Sequence, residues 1–187
     1  MKFSIRTFGC QMNVYDSRRM AELLEAAGHI AAEGPGPSDV FIINTCSVRE
    51  KPRQRVIHTI AQAKAANPDL HVIVTGCVAQ LEGPGLLNDR ADDIVGTDHI
   101  HRRAELREDL GDRPRTVWTD SQKDYARFLM ANPAQSPVSV FVPIQRGCDN
   151  FCTYCVVPLA RGRERSRPLE EILREVTTFV SRGAREV

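Results

Sequence analysis

The chain has 187 residues, of which 42% are hydrophobic and 26% charged, with a formal net charge of +1. This composition is typical of globular proteins and excludes general attraction to nucleic acid through net charge. No apolar run approaches the roughly eighteen residues that span a bilayer, and the N-terminus lacks the apolar core of a secretory signal. We therefore expect a cytoplasmic protein without membrane segments, whose six cysteines stay reduced rather than pair as disulfides.

Strands and helices are predicted to alternate along the first 110 residues. The predicted strands cover residues 3–8, 30–32, 40–43, 71–74 and 93–95. The predicted helices are one that is capped by Asn13 or Asp16 and ends before Gly28, one at 48–66 with Pro52 in its first turn, and one at 99–110. This alternation predicts an α/β fold for residues 1–110, an open parallel sheet flanked by helices.

Three cysteines, Cys10, Cys46 and Cys77, each follow the end of a predicted strand. In a parallel sheet the carboxyl ends of the strands lie along one edge, so residues far apart in sequence meet there. A single such cysteine is more often a small buried hydrophobe. Three at the same topological position predict a cluster site, because thiolates bind zinc or iron–sulfur iron well.

The second half of the chain is predicted to begin a new domain. Residues 111–137 are rich in proline and polar side chains, and we interpret them as an interdomain connection that contains at most a short helix or strand. Its aromatic residues, expected to be packing anchors, are Trp118, Tyr125 and Phe128. A strand is predicted at 138–144 and a helix at 168–180. The predicted buried stripe of that helix is Leu169, Ile172, Val176, Phe179 and Val180.

Between these two elements, Cys148, Cys152 and Cys155 have C-x3-C-x2-C spacing. A structural zinc normally takes four ligands, and no fourth Cys or His lies near them in the sequence. A 4Fe–4S cluster held by three cysteines leaves one iron open to a substrate or cofactor. The spacing alone leaves three interpretations: such a cluster, zinc with a distant fourth ligand, or plain reduced thiols.

The residues around this spacing resemble a known family. With Tyr154 before the last cysteine, the loop resembles the signature of radical S-adenosylmethionine enzymes. The longer string Arg146-Gly-Cys-Asp-Asn-Phe-Cys-Thr-Tyr-Cys155, with the arginine-rich segment 161–167 after it, resembles the methylthiotransferases among them.

The N-terminal half carries the same resemblance. Thr7-Phe-Gly-Cys-Gln-Met-Asn13, Asn44-Thr-Cys46 and Thr75-Gly-Cys77 resemble the three cysteine stations of the methylthiotransferase N-terminal domain, with Phe8 where tyrosine is commoner. The Gln-Met-Asn after the first of these cysteines and the Asp-Asn-Phe after Cys148 favour the tRNA-modifying branch over the one that acts on a ribosomal protein.

The resemblance implies two 4Fe–4S clusters and S-adenosylmethionine as cofactors. The implied ligands are Cys10, Cys46 and Cys77 for one cluster, and Cys148, Cys152 and Cys155 for the other. On this reading the loop cluster cleaves S-adenosylmethionine to a radical that removes hydrogen from adenine carbon-2 beside the anticodon. The N-terminal cluster holds the sulfur that is methylated and transferred. The cofactors thus supply the difficult chemistry.

The resemblance and the charge pattern also suggest binding residues and partners. Tyr154 is a candidate to contact the adenine of the cofactor. The candidates to contact tRNA phosphates are Arg161, Arg163, Arg165 and Arg167. The implied partners are the tRNA anticodon stem-loop, which offers unstacked bases, an electron donor such as flavodoxin or ferredoxin, and a sulfur donor.

The predicted domains are residues 1–110, a linker at 111–137, and 138–187 as the first βα unit of an incomplete radical S-adenosylmethionine barrel. We expect an N-terminal fragment of a longer enzyme that is inactive alone. Alternatives are the same chemistry on a ribosomal-protein aspartate or on threonyl-carbamoyl adenosine, a non-catalytic iron–sulfur electron carrier, and a zinc-stabilised RNA-binding module.

Overall fold

The structure is a computed structural model that describes residues 1–48, 51–89, 91–100, 115–120 and 138–187. Within these residues the main feature is a sheet of six parallel strands in the order β2–β1–β3–β4–β5–β6. The strands are β1 (Lys2–Thr7), β2 (Ile30–Ala31), β3 (Val40–Thr45), β4 (His71–Gly76), β5 (Asp93–Val95) and β6 (Thr116–Trp118). The α/β prediction is confirmed. No helix of the described residues is long and apolar enough to cross a membrane.

Helices cover both faces of the sheet. They are α1 (Gln11–Ala26), α2 (Pro52–Ala66), α3 (Cys77–Glu82) and the 3₁₀ helix Gly83–Asp89. Alternate residues of β3 point to opposite faces: Ile42 packs with α1, and Ile43 packs with α2 and α3. Every residue of β3 is buried, as its continuous apolar run predicts for a strand covered on both sides.

The strand order places a topological switch point between β1 and β3. The chain leaves β1 toward β2 on one side and returns to form β3 on the other side. The carboxyl ends of two such strands border a crevice, and ligands of doubly wound sheets bind there. Cys10 follows β1 and Cys46 follows β3, so both lie at this crevice.

Helix α1 begins earlier than the sequence predicts. The residue at its N-cap position is Cys10, with no side-chain cap, and the predicted caps Asn13 and Asp16 lie inside the helix and are buried. The prediction of their role is wrong because both side chains make hydrogen bonds to other parts of the molecule.

Two other helix predictions change. Helix α2 begins at Pro52 rather than at 48, because proline fits the first helical position, and residues 49–50 lie outside the described part. Helix α3 and the 3₁₀ helix after it were not predicted. The predicted helix 99–110 lies outside the described residues beyond Ile100.

The predicted linker contributes a strand to the sheet. Strand β6 pairs with β5, and the Gly96 N–H donates to the Trp118 carbonyl at 2.6 Å. The Trp118 ring packs against the core on the α1 side of the sheet, in agreement with its predicted role as a packing anchor. Tyr125 and Phe128 lie outside the described residues. The predicted connection therefore contains a short strand, β6, which belongs to the sheet of the first region.

Residues 138–187 form a small second region. Its elements are β7 (Gln145–Arg146), α4 (Val157–Arg161), β8 (Arg165–Ser166) and α5 (Leu169–Ser181), and β7 and β8 pair antiparallel. The predicted strand 138–144 is wrong, because in the described part of the chain only an isolated parallel bridge joins Ser139 to Glu186. A strand needs a continuous row of paired backbone groups, whereas this segment has the bridge and, further along, a hydrogen bond from the Arg167 N–H to the Ile144 carbonyl at 2.9 Å.

The buried stripe of α5 is only partly as predicted. Phe179 is buried and packs with Val140 and Ala184, whereas Leu169 and Val180 are 68% and 53% exposed. The prediction is wrong for these two residues because the small core beneath the helix covers one side of it. Ile172 and Val176 are half-buried.

Candidate metal centre

The three N-terminal cysteines lie where chain segments turn from strand to helix. Cys10 is the N-cap residue of α1, Cys46 directly follows β3, and Cys77 is the first residue of α3. Cys46 and Cys77 are buried, and Cys10 is exposed. The N-terminus of a helix favours negative charge, which suits a thiolate at the position of Cys10.

Two glycines allow the segments to approach closely. A Cβ atom at Gly9 would lie 2.5 Å from the Cβ and 2.9 Å from the Sγ of Cys46, so only glycine lets the residue before Cys10 pack here. Gly76 has φ +90°, and a Cβ there would lie 2.4 Å from the Thr45 carbonyl oxygen. Both positions therefore require glycine, and together they bring the chain at Cys10 and Cys77 against the end of β3.

Buried hydrogen bonds fix the ends of the three strands. The Asn13 Nδ2 donates to the Phe8 and Thr45 carbonyls at 2.7 and 2.8 Å. The Thr45 hydroxyl donates to the Thr75 carbonyl at 2.5 Å and accepts from the Val78 N–H at 3.1 Å. These bonds connect the chain beside all three cysteines, which makes their arrangement rigid.

Arg161 reaches this edge from α4. Its Nη2 donates to Asn13 Oδ1 at 2.6 Å and to Asp16 Oδ2 at 3.0 Å, and its side chain is 6% exposed. The guanidinium interacts electrostatically with the thiols of Cys77 and Cys10. A residue close in sequence to the second cysteine group is therefore part of the surroundings of the first.

Charges around Cys77 shift its acidity in opposite directions. Burial raises the pKa of the Cys77 thiol, and the Arg161 guanidinium lowers it without cancelling the rise; Cys46 and Asp16 add to the rise. Burial alone lowers the pKa of Arg161, but Asp16, Cys77 and Cys10 raise it by more, so the guanidinium stays charged.

The donor set fits an iron–sulfur cluster in its chemistry. All six cysteines are free thiols. Buried side-chain atoms without a hydrogen-bond partner border the N-terminal cysteines, namely Asp16 Oδ1, Ser47 Oγ, Thr75 Oγ1 and Arg161 Nη1. Unsatisfied polar atoms of this kind often mark the place of a bound group. Within the described residues, no three His, Cys, Asp or Glu side chains are grouped as ligands of one metal ion.

The second cysteine group lies on a loop between β7 and α4. The Cys155 N–H donates to the Cys152 carbonyl at 2.9 Å, and the Cys148 N–H donates to the Gly162 carbonyl at 3.2 Å. Gly147 has φ +73°, and a Cβ there would lie 2.1 Å from the Arg163 carbonyl oxygen. The pairing of β7 with β8 closes the loop, and Cys152 is exposed at its outer side.

The other predicted site residues have different surroundings. Tyr154 is 91% exposed on the cysteine loop. Arg163 is also exposed, with its Nε 2.9 Å from Asp149 Oδ1, and Arg165 pairs with Asp98 at 2.8 Å. The roles proposed for these three residues stay predictions.

Two of the four arginines are not available to tRNA phosphates. Arg161 is buried beside Asp16, and Arg167 is buried with its Nη1 2.7 Å from Glu175 Oε2 and 2.8 Å from the Pro143 carbonyl. The structure therefore offers no exposed guanidinium at either position for the predicted phosphate contact, because a short basic run in the sequence does not distinguish exposed from buried ion pairs.

Several contacts join the region 138–187 to the sheet region. The Tyr15 hydroxyl donates to Glu175 Oε1 at 3.0 Å, and burial, with the nearby Glu175 carboxylate, raises the pKa of Tyr15 far above its usual value. The Thr97 hydroxyl donates to the Ala160 carbonyl at 2.9 Å. The Arg18 guanidinium lies 5.0 Å from the centre of the Phe179 ring. These contacts fix the two cysteine groups relative to each other.

Comparison with known proteins assigns both regions. Residues 2–96, about half of the chain, match the family described as "Uncharacterized protein family UPF0004". The chain belongs to this family. Residues 142–187 match the radical SAM superfamily, whose enzymes use S-adenosylmethionine and 4Fe–4S clusters. The UPF0004 match thus contains strands β1 to β5 with Cys10, Cys46 and Cys77, and the superfamily match contains the cysteine loop.

The UPF0004 chain is also similar to tRNA-modifying enzymes over its whole length. The tRNA-2-methylthio-N(6)-dimethylallyladenosine synthases of Ruegeria sp. (strain TM1040) and Ruegeria pomeroyi are 40% and 41% identical over 193 residues, covering 100% of this chain and 44% of each relative. The synthase of Thermodesulfovibrio yellowstonii is 39% identical over 98% of this chain and 43% of its own length. The resemblance to methylthiotransferases is confirmed, and the chain spans less than half the length of these relatives.

Sequence reasoning did not find the residues that support the UPF0004 cysteines. Asn13, Asp16 and Thr45 hold the three segments, and Arg161 was assigned to a different role. Asn13 lies one helical turn after Cys10 on the inner face of α1, a position where a polar residue needs a buried partner. A polar residue on the inner face of a predicted helix is therefore the sequence signal that could have identified Asn13 as a supporting residue.

Proposed function

We propose that this chain provides the two cysteine centres of a radical S-adenosylmethionine enzyme that adds a methylthio group to carbon-2 of N6-dimethylallyladenosine in tRNA. One observation is decisive for this proposal: Cys10, Cys46 and Cys77 lie at one edge of the sheet, and Arg161, from the helix after the second cysteine group, reaches that same edge. The similarity to tRNA-2-methylthio-N(6)-dimethylallyladenosine synthases supports the substrate.

The proposed ligands are Cys10, Cys46 and Cys77 for one 4Fe–4S cluster and Cys148, Cys152 and Cys155 for a second. A cluster of four irons takes each protein sulfur on a different iron, so its ligands stand further apart than the ligands of one ion. When bound, the clusters and S-adenosylmethionine supply an open iron and a radical that attacks an unactivated carbon.

The protein's own residues would position these groups and the RNA. Burial of Cys46 and Cys77 keeps water from one side of the N-terminal centre, and the exposure of Cys10 leaves the other side open. Tyr154, on the exposed loop, would contact the adenine of the cofactor, and Arg163 and Arg165 would contact phosphates.

The proposed partners are the tRNA anticodon stem-loop, an electron donor such as flavodoxin or ferredoxin, and a sulfur donor, all in the cytoplasm. We further propose that the boundary between the two domains lies between Trp118, the last residue of β6, and Val138. This moves the end of the first domain beyond residue 110, because β6 belongs to its sheet.

Metal analysis of anaerobically reconstituted protein tests the proposal. Two clusters of four irons give about eight irons and matching sulfide per chain. A variant with Cys10, Cys46 and Cys77 all changed to alanine should retain about half of this iron, and so should a variant with Cys148, Cys152 and Cys155 changed. Only the first variant should still bind S-adenosylmethionine, since it keeps the loop cluster.

Zinc without sulfide in the wild-type protein would contradict the proposal and support a zinc-stabilised module. Iron and sulfide in the wild-type protein, with no cleavage of S-adenosylmethionine by a chimera that completes this chain with the remaining part of a relative, would support an electron carrier instead. Complete loss of iron in both triple variants would show that the six cysteines form one shared site.

The substrate is tested with tRNA that carries or lacks the dimethylallyl group. Because the chain spans 44% of the Ruegeria relative, the assay uses a chimera in which this chain replaces the matching part of that enzyme, with the parent enzyme as the positive control. We expect methylthio incorporation, measured by mass spectrometry of digested tRNA, only into the dimethylallylated RNA. Incorporation into threonyl-carbamoyl adenosine or into a ribosomal-protein aspartate would overturn the substrate assignment.

A further inference from the structure

Arg161 has no role in the proposed reaction so far, although its position is unusual. It ends α4, six residues after Cys155, and its guanidinium is buried among residues that surround the other cysteine group. Its Nη2 is fully used by Asn13 Oδ1 at 2.6 Å and Asp16 Oδ2 at 3.0 Å. A purely structural ion pair between the two regions would need no more than these contacts.

The other terminal nitrogen of Arg161, Nη1, shows that the hydrogen bonds of this guanidinium are incomplete. Arg161 Nη1 is buried and has no hydrogen-bond partner among the residues that the structure describes. An unsatisfied buried donor costs about 1–3 kcal/mol, and more when it belongs to a charged group. Such a donor is expected where a bound group supplies the missing acceptor. The guanidinium also interacts electrostatically with the thiols of Cys77 and Cys10.

The charges at this edge are unequal. As ligands of a cluster, Cys10, Cys46 and Cys77 would be three thiolates, and with the Asp16 carboxylate they would oppose the single guanidinium of Arg161. The pair with Asp16 is nearly completely buried, with side-chain exposures of 6% and 1%. In surroundings of low dielectric constant, one positive charge near the thiolates affects the energy of any group they bind far more than it would in water.

We propose that Arg161 is a positioning residue of the Cys10, Cys46 and Cys77 centre: its charge offsets that of the bound cluster, and its Nη1 donates a hydrogen bond to a sulfur of that cluster. The inference rests on the proposed function, because it assumes a cluster at this centre. It also gives the second region a direct part in the first centre, since the helix after the cysteine loop supplies this arginine.

The proposal predicts shifts of reduction potential with opposite signs for the two members of the ion pair. Reduction adds negative charge to the cluster, so a nearby positive charge and a hydrogen bond to sulfur raise its potential. Removal of the charge in Arg161→Gln should lower the potential. Neutralisation of the opposing carboxylate in Asp16→Asn should raise it. A merely structural role would disturb the site in a similar way in both variants.

The experiment uses the full 187-residue chain with Cys148, Cys152 and Cys155 changed to alanine, so that only the N-terminal cluster contributes to the signal. After anaerobic reconstitution, the potential is measured by redox titration followed by electron paramagnetic resonance. We expect Arg161→Gln to have a lower potential than the parent and Arg161→Lys to lie between the two. Arg185→Gln, which removes the same charge at an exposed position, should equal the parent.

The outcomes separate this inference from the proposed function. If the parent binds no iron and sulfide, both are overturned. If it binds them and Arg161→Gln has an unchanged potential, or if both variants shift in the same direction, only the inference is overturned. If Arg161→Gln does not fold, Asp16→Asn decides: a raised potential supports the inference, and an unchanged or lowered potential overturns it.

Discussion

At the scale of single residues, the glycine at the end of β4 controls the position of Cys77. In Gly76→Ala the new Cβ would meet the Thr45 carbonyl oxygen at 2.4 Å and Asn44 Oδ1 at 2.5 Å, in a backbone with φ +90°. Strain and overpacking each cost about 1–3 kcal/mol. We therefore expect a large decrease in the free energy of unfolding, measured by urea denaturation, and loss of about half of the bound iron.

The matched control is Gly28→Ala. Gly28 has nearly the same φ, +88°, but no atom lies within 4 Å of its ideal Cβ position. The free energy of unfolding of Gly28→Ala should decrease only by the cost of placing alanine at a positive φ, about 1–2 kcal/mol, and its iron content should not change. Equal effects of the two substitutions would show that the contact with β3 is unimportant.

The buried hydroxyl of Tyr15 makes stability depend on alkaline pH. Its pKa is raised far above its usual value by burial and by Glu175, so the folded protein retains the proton that the unfolded chain loses above about pH 10. Folded protein then binds more protons than unfolded protein, and stability falls as pH rises, by about 1.4 kcal/mol per pH unit above pH 10. Urea denaturation between pH 8 and pH 11 measures this slope.

Tyr15→Phe is the control for the other groups that titrate in this range. At pH 8 the variant should be less stable by about 1 kcal/mol, because it lacks the hydrogen bond to Glu175. This difference should shrink and then reverse at higher pH, since phenylalanine does not ionise. A constant difference at every pH would mean that Tyr15 ionises with its usual pKa in the folded protein.

Residue type and sequence position predicted that Cys10, Cys46 and Cys77 follow strand ends, but not which arginines are buried. The strand pattern alone predicts where a cysteine after a strand end lies, because the carboxyl ends of all strands in a parallel sheet lie at the same edge. Arg161 and Arg163 are two positions apart in one basic run, yet the first is buried and the second is exposed. That difference depends on Asp16, which is 145 positions away and cannot be read from local sequence.

At the scale of elements, β6 is expected to be necessary for full stability of the sheet. Its Thr116 N–H donates to Asp93 Oδ1 at 3.0 Å, and Trp118 covers core residues beneath β5. A chain of residues 1–120 should therefore have a higher midpoint of urea denaturation than a chain of residues 1–110. Equal midpoints of the two chains would contradict a stabilising role for β6.

The elements that were predicted well are strands that are hydrogen-bonded to a neighbouring strand on each side. β3 and β4 are continuous apolar runs buried on both faces of the sheet, so the apolar run alone is enough to predict them as strands. The segment 138–144 is also apolar, but the bridge to Glu186 is its only strand pairing within the described residues. An apolar run shows that a segment can be a strand, whereas hydrogen-bonded neighbours decide whether it becomes one.

At the scale of the whole molecule, α1 is the element that unites the two regions. One part of it packs on the sheet through Met20 and Leu24. Another part contacts the second region, where Asp16 pairs with Arg161 and Tyr15 bonds to Glu175. Because Cys10 is the N-cap of the same helix, a change in the docking of the second region would be transmitted to the first cysteine group.

Hydrogen exchange of α1 tests this connection. In a chain of residues 1–120, the helix keeps its contacts with the sheet but loses the hydrogen bond of Tyr15, the Arg18 contact with Phe179 and the ion pair of Asp16. The hydrogen bond and the cation–π contact are each worth about 1 kcal/mol, so α1 amides should exchange at least about tenfold faster than in the full chain.

Amides of β3 and β4 provide the internal control, because these strands are buried in the centre of the sheet. Their exchange should change much less than that of α1, since local opening of a helix does not require opening of the sheet. An equal acceleration of α1, β3 and β4 would indicate general destabilisation. Unchanged exchange in α1 would contradict its role, and other contacts between the two regions, such as those of Thr97 with Ala160 and Asp98 with Arg165, would then join the two cysteine groups.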